Sequence, residues 1–425
     1  MKIGFVCAEY FGFKSIEGKL IPTSTHGGFG FLTKVKAEWL ANEGHDVHVF
    51  TYAASYNYEN NTAEELNENG VTIHLIPEKE RVGKSSFSSG IKQLSKLKGN
   101  DFFREVLTEQ NLQILQFEDT PTTLLLAEVN TIPKILIFQD PFDYYDVNLL
   151  VDSQNNYSSL IEGHNEQYVI KREDYKFSSE IAINYLHKKN FVSPIRKLLV
   201  PSNHITIFAE ADFIGEKVKN LFKLASTPIT VRNPIQIYDK TEEKTHKPSF
   251  VWVARWDAQK RPDTMLEIAS QIPEYDFYLI GTATVSSKDN TSIQTKLETY
   301  FSRYPNIHIL GFVQEEEKRK YIGKAWALIN TSIREGLPIT FLEAMAEGTP
   351  IISYTDPDRY VSNYGIRVDY SIKSYISAIY KAVEQKLYEK LADKEREFIM
   401  REHEVNTIMN KHLDIYKKIL NGETD

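Results

Sequence analysis

The feature that most constrains this chain is an alternation of short β-branched and aliphatic runs with longer stretches of helical period. Strands buried on both faces read as continuous apolar runs, and each parallel return needs a crossover, so the alternation predicts parallel sheets covered by helices. Two series are legible. The first predicts strands at Ile3–Cys7, Val47–Thr51, Thr72–Ile76, Ile114–Phe117, Ile135–Phe138, Leu198–Val200 and Ile229–Val231. Between the first two of these, Phe31, Val35 and Trp39 recur at four-residue spacing and predict a helix stopped by Gly44. The second series predicts strands at Phe250–Val253, Phe277–Ile280, Ile307–Leu310, Ala327–Ile329 and Ile351–Ser353, each followed by helical sequence. A polar segment, Tyr238 to Pro248, stands between the series and reads as a linker. The expected fold is therefore α/β: two doubly wound Rossmann-like domains facing a central cleft, over residues 1–238 and 239–405. A final amphipathic helix over about 406–425 is expected to pack back on one of them. A length of 425 residues suits two or three domains of roughly 150 residues each.

Composition excludes several classes. Hydrophobic residues at 41% and charged residues at 25% are those of a packed soluble protein rather than a disordered chain. Fifty Lys and Arg against 58 Asp and Glu, a net charge of −8, argue against nonspecific binding to nucleic acid or to an anionic bilayer. The single cysteine, Cys7, lies in an apolar run and reads as a buried strand residue; a chain with one cysteine fits a cytoplasmic location. The N-terminus reads as neither a signal peptide nor a membrane span. No apolar run reaches the about eighteen residues of a spanning helix, so any membrane contact is expected to be peripheral. Lys92, Lys96 and Lys98 beside Leu94 and Leu97 offer such a contact, with a solvated helix face as the simpler reading.

Three segments could carry chemistry. His26-Gly27-Gly28-Phe29-Gly30 opens the first helix, where a glycine cluster lets the backbone approach a ligand and the free N–H groups suit a phosphate. Its spacing is not that of a dinucleotide-binding turn, and a plain turn is an equal reading. Arg255, Lys260 and Arg261 follow a strand and precede a helix with Pro262 in its first turn, which puts three cations at the carboxyl edge of a sheet. They suit a diphosphate; an isolated basic cluster also suits a solvated loop. In the third segment Glu335 lies in the loop before a short helix bounded by Pro338 and Gly348, and Glu343 lies on that helix among Phe341, Leu342, Ala344 and Met345. A carboxylate buried there needs a partner, which a pair of ligand hydroxyls or a salt bridge would provide.

The Glu-x7-Glu spacing of Glu335 and Glu343, set in Arg334-Glu335-Gly336-Leu337-Pro338 and Glu343-Ala344-Met345-Ala346, resembles the signature of the family-four retaining glycosyltransferases, the glycosyl transferases group 1, which have the GT-B fold. The resemblance extends to Ala254-Arg255 with Lys260-Arg261-Pro262-Asp263, to Ile307–Val313, to Val200-Pro201-Ser202-Asn203, to Gly27-Gly28 and to Gly44–Val47, spanning nearly the whole chain in the family's order. It implies that Arg255 and Lys260 bind the diphosphate of a nucleotide sugar, that Glu335 contacts hydroxyls of the transferred sugar, and that Glu343 contacts the ribose. It further implies that the N–H groups of Gly336 and Leu337 cap the phosphate, that Phe312 and Val313 meet the base, and that Gly27 and Gly28 close over the diphosphate from the other domain.

Two departures from the family pattern stand out. Gln139-Asp140 follows a strand where the family often has a histidine, which makes Asp140 the reachable acid and Gln139 a neutral hydrogen bonder. After the last strand a Gly-Gly pair is replaced by Tyr354-Thr355-Asp356-Pro357-Asp358. The carboxylates Asp356 and Asp358 read as a solvated turn, so no catalytic metal and no cofactor are expected. The implied reaction is sugar transfer with retention to a hydroxyl of a glycan, lipid-linked or small-molecule acceptor, with the departing phosphate taking the proton. Two rivals share the donor cleft: a nucleotide-sugar epimerase or hydrolase of the same fold, and a noncatalytic nucleotide-sugar-binding protein.

Overall fold

A computed structural model describes residues 1–7, 10, 12–16, 19–23, 28–52, 64–76, 107–118, 132–139, 205–239, 241–256, 260–283, 288–332 and 335–423. These fall into two compact units. The first gathers the described residues within Met1–Tyr145, Ser178–Pro234 and Val405–Asp425; the second gathers those within Ile235–Glu404. The strand expected at Leu198–Val200, the lysine cluster at Lys92–Lys98, Gly27 and Asp140 lie outside the described residues.

The first unit runs β1 (Lys2–Cys7), β2 (Gly12–Ile16), β3 (Lys19–Thr23), α1 (Gly28–Asn42), β4 (Asp46–Tyr52), β5 (Glu64–Glu68), β6 (Val71–Ile76), β7 (Ile114–Phe117), β8 (Lys134–Phe138), β9 (Ile205–Ala209), α2 (Asp212–Phe222) and β10 (Ile229–Thr230). Its main sheet has the order β10-β9-β8-β7-β1-β4-β6-β5. Only β5 runs antiparallel, against β6. Ile3, Phe5 and Cys7 bury one face of β1 against Val47, Val49, Ile73, Ile114 and Ile135, so the apolar runs are strands because both faces of the sheet are covered. The C-terminal helix, Val405–Leu420, adds Ile408, Met409, Leu413 and Tyr416 to the same core. It is pinned there by two hydrogen bonds: Tyr416 OH donates to Gln116 Oε1 at 2.6 Å and Trp39 Nε1 donates to Asn406 Oδ1 at 2.8 Å.

Four strands of this unit were not legible in the sequence. The antiparallel pair β2–β3 fills the excursion between β1 and α1. Strand β5 exposes Glu65, Leu66 and Asn67 at the sheet edge, where a polar composition guards against further pairing and leaves no apolar run to read. Strand β9 alternates Ile205, Thr206 and Ile207, which dilutes its signal.

The second unit runs β11 (Ser249–Val253), α3 (Pro262–Ser270), β12 (Asp276–Ile280), α4 (Lys288–Phe301), β13 (Ile307–Gly311), α5 (Glu315–Lys324), β14 (Ala327–Asn330), α6 (Ile339–Ala346), β15 (Ile351–Ser353), α7 (Tyr360–Tyr364), β16 (Gly365–Arg367), α8 (Ile372–Glu384) and α9 (Leu387–Glu402). All six strands are parallel, in the order β13-β12-β11-β14-β15-β16. The first strand is central: β12 and β13 add on one side, then β14 to β16 on the other. Crossovers therefore change sides between β11 and β14, the place in an open α/β sheet where ligands bind at the carboxyl edge. The polar segment read as a linker lies on this unit, held by hydrogen bonds instead of apolar packing. Thr245 N–H donates to the Lys324 carbonyl at 3.1 Å, Trp326 Nε1 to the Thr245 carbonyl at 2.8 Å, and Lys244 Nζ to Thr349 Oγ1 at 2.6 Å.

At the end of β12, Gly281 has φ +122°, and a Cβ there would fall 1.9 Å from the Ala254 carbonyl oxygen. Its N–H donates to the Gly311 carbonyl at 2.7 Å, tying together the ends of β12 and β13. Gly281→Ala is expected to cost on the order of 2–3 kcal/mol in urea denaturation; an unchanged midpoint would contradict the close approach. A second expectation concerns acid. Burial first, then Lys36, pushes His412 down to about 3; burial, then His48 and Lys2, pushes His74 down to about 4. The unfolded chain takes up these protons near the ordinary value of about 6.5, so the native state holds this stability above that pH and loses it as pH falls toward the folded values. The urea midpoint is expected to drop over this window, and His412→Leu to make the drop shallower than in the parent protein.

Candidate active site

The loop leaving β11 and the loop leaving β14 meet at the change of side in the second sheet. Lys260 Nζ lies 2.8 Å from Glu335 Oε1 and 2.7 Å from Glu335 Oε2. Both side chains are largely covered, at 17% and 7% exposure. Asn330, the last residue of β14, donates from Nδ2 to Glu335 Oε1 at 3.2 Å and accepts the Ser332 N–H at 3.1 Å. Burial raises the Glu335 carboxyl, but the Lys260 ammonium beside it and the Asn330 amide outweigh that and hold it below the usual range. The result is a preorganised, ionised carboxylate and an ammonium at the mouth of an α/β sheet.

Backbone support comes from residues the sequence reading passed over. Trp252 Nε1, on β11, donates to Thr331 Oγ1 at 2.9 Å, and Thr331 Oγ1 donates to the Lys260 carbonyl at 2.7 Å. Tyr375 OH donates to the Asn330 carbonyl at 2.8 Å, and Tyr370 OH to the Thr331 carbonyl at 3.2 Å. The sequence signal was present: Asn330-Thr331-Ser332 is a polar triplet that follows the apolar run Ala327–Ile329, and all three residues are buried.

The remaining expected residues of this unit divide into those the structure gathers and those it diverts. Arg255 stands exposed just past β11. Phe312, 53% exposed, and Val313 follow β13, and Gly336 and the buried Leu337 follow Glu335 into α6, so all share the carboxyl edge. Arg261 does not join them. It takes a left-handed conformation at φ 52° before α3 and turns into the core at 2% exposure, where Nε and Nη2 lie 2.9 and 2.6 Å from the Asp263 carboxylate oxygens. The third cation of the expected cluster is thus a structural ion pair. Glu343, on α6, is met by Lys318 from α5 at 2.7 Å. Asp356 accepts the N–H groups of Val361 and Ser362 at 2.8 and 3.1 Å, at the start of α7, so this carboxylate caps a helix. Among the described residues no group of three or more His, Cys, Asp or Glu is disposed to hold a metal ion.

In the first unit Gly28 is the exposed first residue of α1. The change of side in this sheet falls between β1 and β7, and a buried polar network sits at the ends of β7 and β8. Glu118, fully buried, pairs with Lys36 from α1 and accepts from Gln116 Nε2 at 2.6 Å and Gln139 Nε2 at 2.9 Å. Gln139 Oε1 is buried without a hydrogen-bond partner. Gln139 is therefore a neutral hydrogen bonder held in place by Glu118, a residue visible in sequence only as the first charge after Ile114–Phe117.

Residues 235–397 match the family model of the glycosyl transferases group 1. The O-antigen biosynthesis glycosyltransferase WbnH of Escherichia coli is 28% identical over 125 residues, 29% of this chain and 33% of that protein. The probable O-antigen biosynthesis glycosyltransferase WbiN of the same species matches to the same extent, so the aligned segment spans about a third of these curated relatives. Sucrose-phosphate synthase from Thermosynechococcus elongatus superposes with a TM-score of 0.70 at 14% identity, covering 99% of both chains. Anabaena HepE, solved in complex with UDP and glucose, gives 0.64 at 12% identity, covering 98% of this chain and 99% of that one. WaaG, a glycosyltransferase involved in lipopolysaccharide biosynthesis, gives 0.62 at 14% identity, covering 97% and 99%.

One expectation tests the pair directly. Lys260→Met leaves the Glu335 charge buried without its counter-ion and should cost about 3–5 kcal/mol in chemical denaturation, whereas adding Glu335→Gln should recover part of that loss. Equal stability of all three proteins would show that the contact is not formed. Segment 235–397 thus matches the glycosyl transferases group 1, and the fold of the chain is that of the GT-B glycosyltransferases.

Proposed function

We propose that this protein is a retaining, metal-independent glycosyltransferase that moves a sugar from a nucleoside diphosphate sugar to a hydroxyl acceptor. The observation that carries the reading is the buried Lys260–Glu335 pair at the carboxyl edge of the second sheet, inside the matched segment. An ammonium and a carboxylate in contact suit the junction of a diphosphate and a sugar, because the first attracts phosphoryl oxygens and the second accepts hydroxyl protons. HepE is described with UDP-glucose and TarM of S. aureus with UDP, which makes UDP-sugars the first donors to try.

In this mechanism Arg255 and Lys260 stabilise the negative charge that grows on the leaving diphosphate as the anomeric carbon gains oxocarbenium character. The N–H groups of Gly336 and Leu337, ahead of α6, add to that stabilisation. Lys260 passes from Glu335 to the phosphate as the donor enters, and Glu335 turns its oxygens to the sugar hydroxyls. Glu343 receives the ribose, and Phe312 and Val313 border the base. The acceptor hydroxyl attacks from the face the phosphate leaves, and the phosphate takes its proton. The curated relatives are named for O-antigen biosynthesis, so a glycan acceptor is the first class to test, with a cytoplasmic and peripheral setting.

The test is transfer from UDP-, GDP- and ADP-sugars to a glycan panel, read as nucleotide release that depends on acceptor. Glu335→Gln and Arg255→Ala are each expected to lower turnover on the order of 10²–10³-fold in folded protein. Turnover close to that of the parent in either variant would defeat the assignment.

A further inference from the structure

Glu343 and its partner on α5 carry information beyond the contact proposed for the ribose. Lys318 Nζ lies 2.7 Å from Glu343 Oε1 and 2.7 Å from Glu315 Oε1, so one ammonium bridges two carboxylates from two helices. Glu343 Oε2 is buried and has no hydrogen-bond partner among the described residues. The Glu343 side chain is 12% exposed and that of Lys318 is 18% exposed. A bare, buried carboxylate oxygen costs the folded state free energy that a hydroxyl donor would recover, and a ligand bearing hydroxyls is such a donor.

We infer that Lys318 is a positioning residue: by holding Oε1 it turns Oε2 of Glu343 toward the hydroxyls of the donor's ribose, with Glu315 steadying the ammonium from its other side. The inference rests on the donor reading above. It deepens that reading by adding two residues, Lys318 and Glu315, as determinants of nucleotide affinity.

The electrostatics of the triad give the inference a signature. Burial first pushes the Glu343 carboxyl up and Glu315 adds to this, against the pull of Lys318; the net direction is upward. Burial lowers Lys318, but the two carboxylates outweigh it and hold the ammonium at about 12, so Lys318 stays charged where the Glu343 carboxyl takes up its proton. Other charges near α6 are engaged elsewhere. Glu347, just past the end of α6, pairs with Arg319 at 2.7 Å, and Arg396 from α9 donates to the Ala346 carbonyl. Glu395, also on α9, lies with Lys244 as the charge that bears on it, and Glu335 is held by Lys260. Strands β14 and β15 bring no ionisable side chain. Removing Lys318 takes away the influence that keeps Glu343 ionised, so its proton uptake moves to higher pH; removing Glu315 moves it to lower pH.

The experiment is calorimetric titration of the full chain with UDP, GDP and ADP at acid, neutral and alkaline pH. Whichever nucleotide binds is then compared with its 2′,3′-dideoxy analogue, for the parent, Lys318→Met, Lys318→Arg and Glu315→Gln. The parent should prefer the nucleotide to its dideoxy analogue, with an affinity that falls as pH drops through the Glu343 range. Lys318→Met should lose about tenfold or more in affinity for the nucleotide and little for the analogue. Its acid limb should move to higher pH, Lys318→Arg should restore the parent profile, and Glu315→Gln should move the limb the opposite way. If Lys318→Met matches the parent in affinity, discrimination and pH profile, the inference is overturned. If Lys318→Met does not fold, Glu315→Gln alone decides, and an unmoved limb there overturns it as well. A parent that binds none of the three nucleotides would overturn the donor reading itself, which is a different result from a parent that binds and a variant that does not change.

Discussion

A carboxylate as covered as Glu335 stays ionised only with a cation against it, and Lys260 is that cation. The two residues are 75 apart in sequence, so their contact fixes the loop after β11 against the loop after β14. Much of the second unit's carboxyl edge follows from this. Thr331 holds the Lys260 backbone and Asn330 holds the Glu335 side chain, while Tyr370 and Tyr375 hold the carbonyls of the same two residues. A site supported in this way is preorganised, and its electrostatic effect needs little rearrangement when a ligand arrives.

Topology explains why the pair sits where it does. Each unit places its first strand centrally and builds outward on both sides, and each gathers polar residues where the crossovers change side. In the second unit the gathered residues are Lys260, Asn330 and Glu335; in the first they are Lys36, Glu118 and Gln139. Buried ions at these places are costly for stability when compared with apolar residues of similar volume. In each unit an apolar core lies beneath these polar residues.

How much of this was legible in the sequence follows from the kind of signal each element gives. Strands buried on both faces, such as Phe250–Val253 and Ile114–Phe117, announce themselves as apolar runs. The edge strand β5, with Glu65 and Asn67 exposed, cannot, because its residues answer to solvent. Lys260 and Glu335 were legible as motif residues, and their contact adds a charge balance that spacing alone does not reveal. Arg261 was read with Lys260 because the two are adjacent, yet backbone at φ 52° turns its side chain inward to Asp263. The pairing of Glu343 with Lys318 depends on how α5 and α6 pack, which no local pattern records. The segment Tyr238 to Pro248 read as a linker because hydrogen bonds leave no hydrophobic trace.

The central claim is that the Lys260–Glu335 contact is the resting form of a donor site. A crystal structure of the protein with an intact nucleoside diphosphate sugar tests it most directly. Lys260 Nζ is expected to have left Glu335 for the diphosphate oxygens, with Glu335 hydrogen-bonded to the sugar. A donor seated elsewhere, with the Lys260–Glu335 pair still closed, would contradict it.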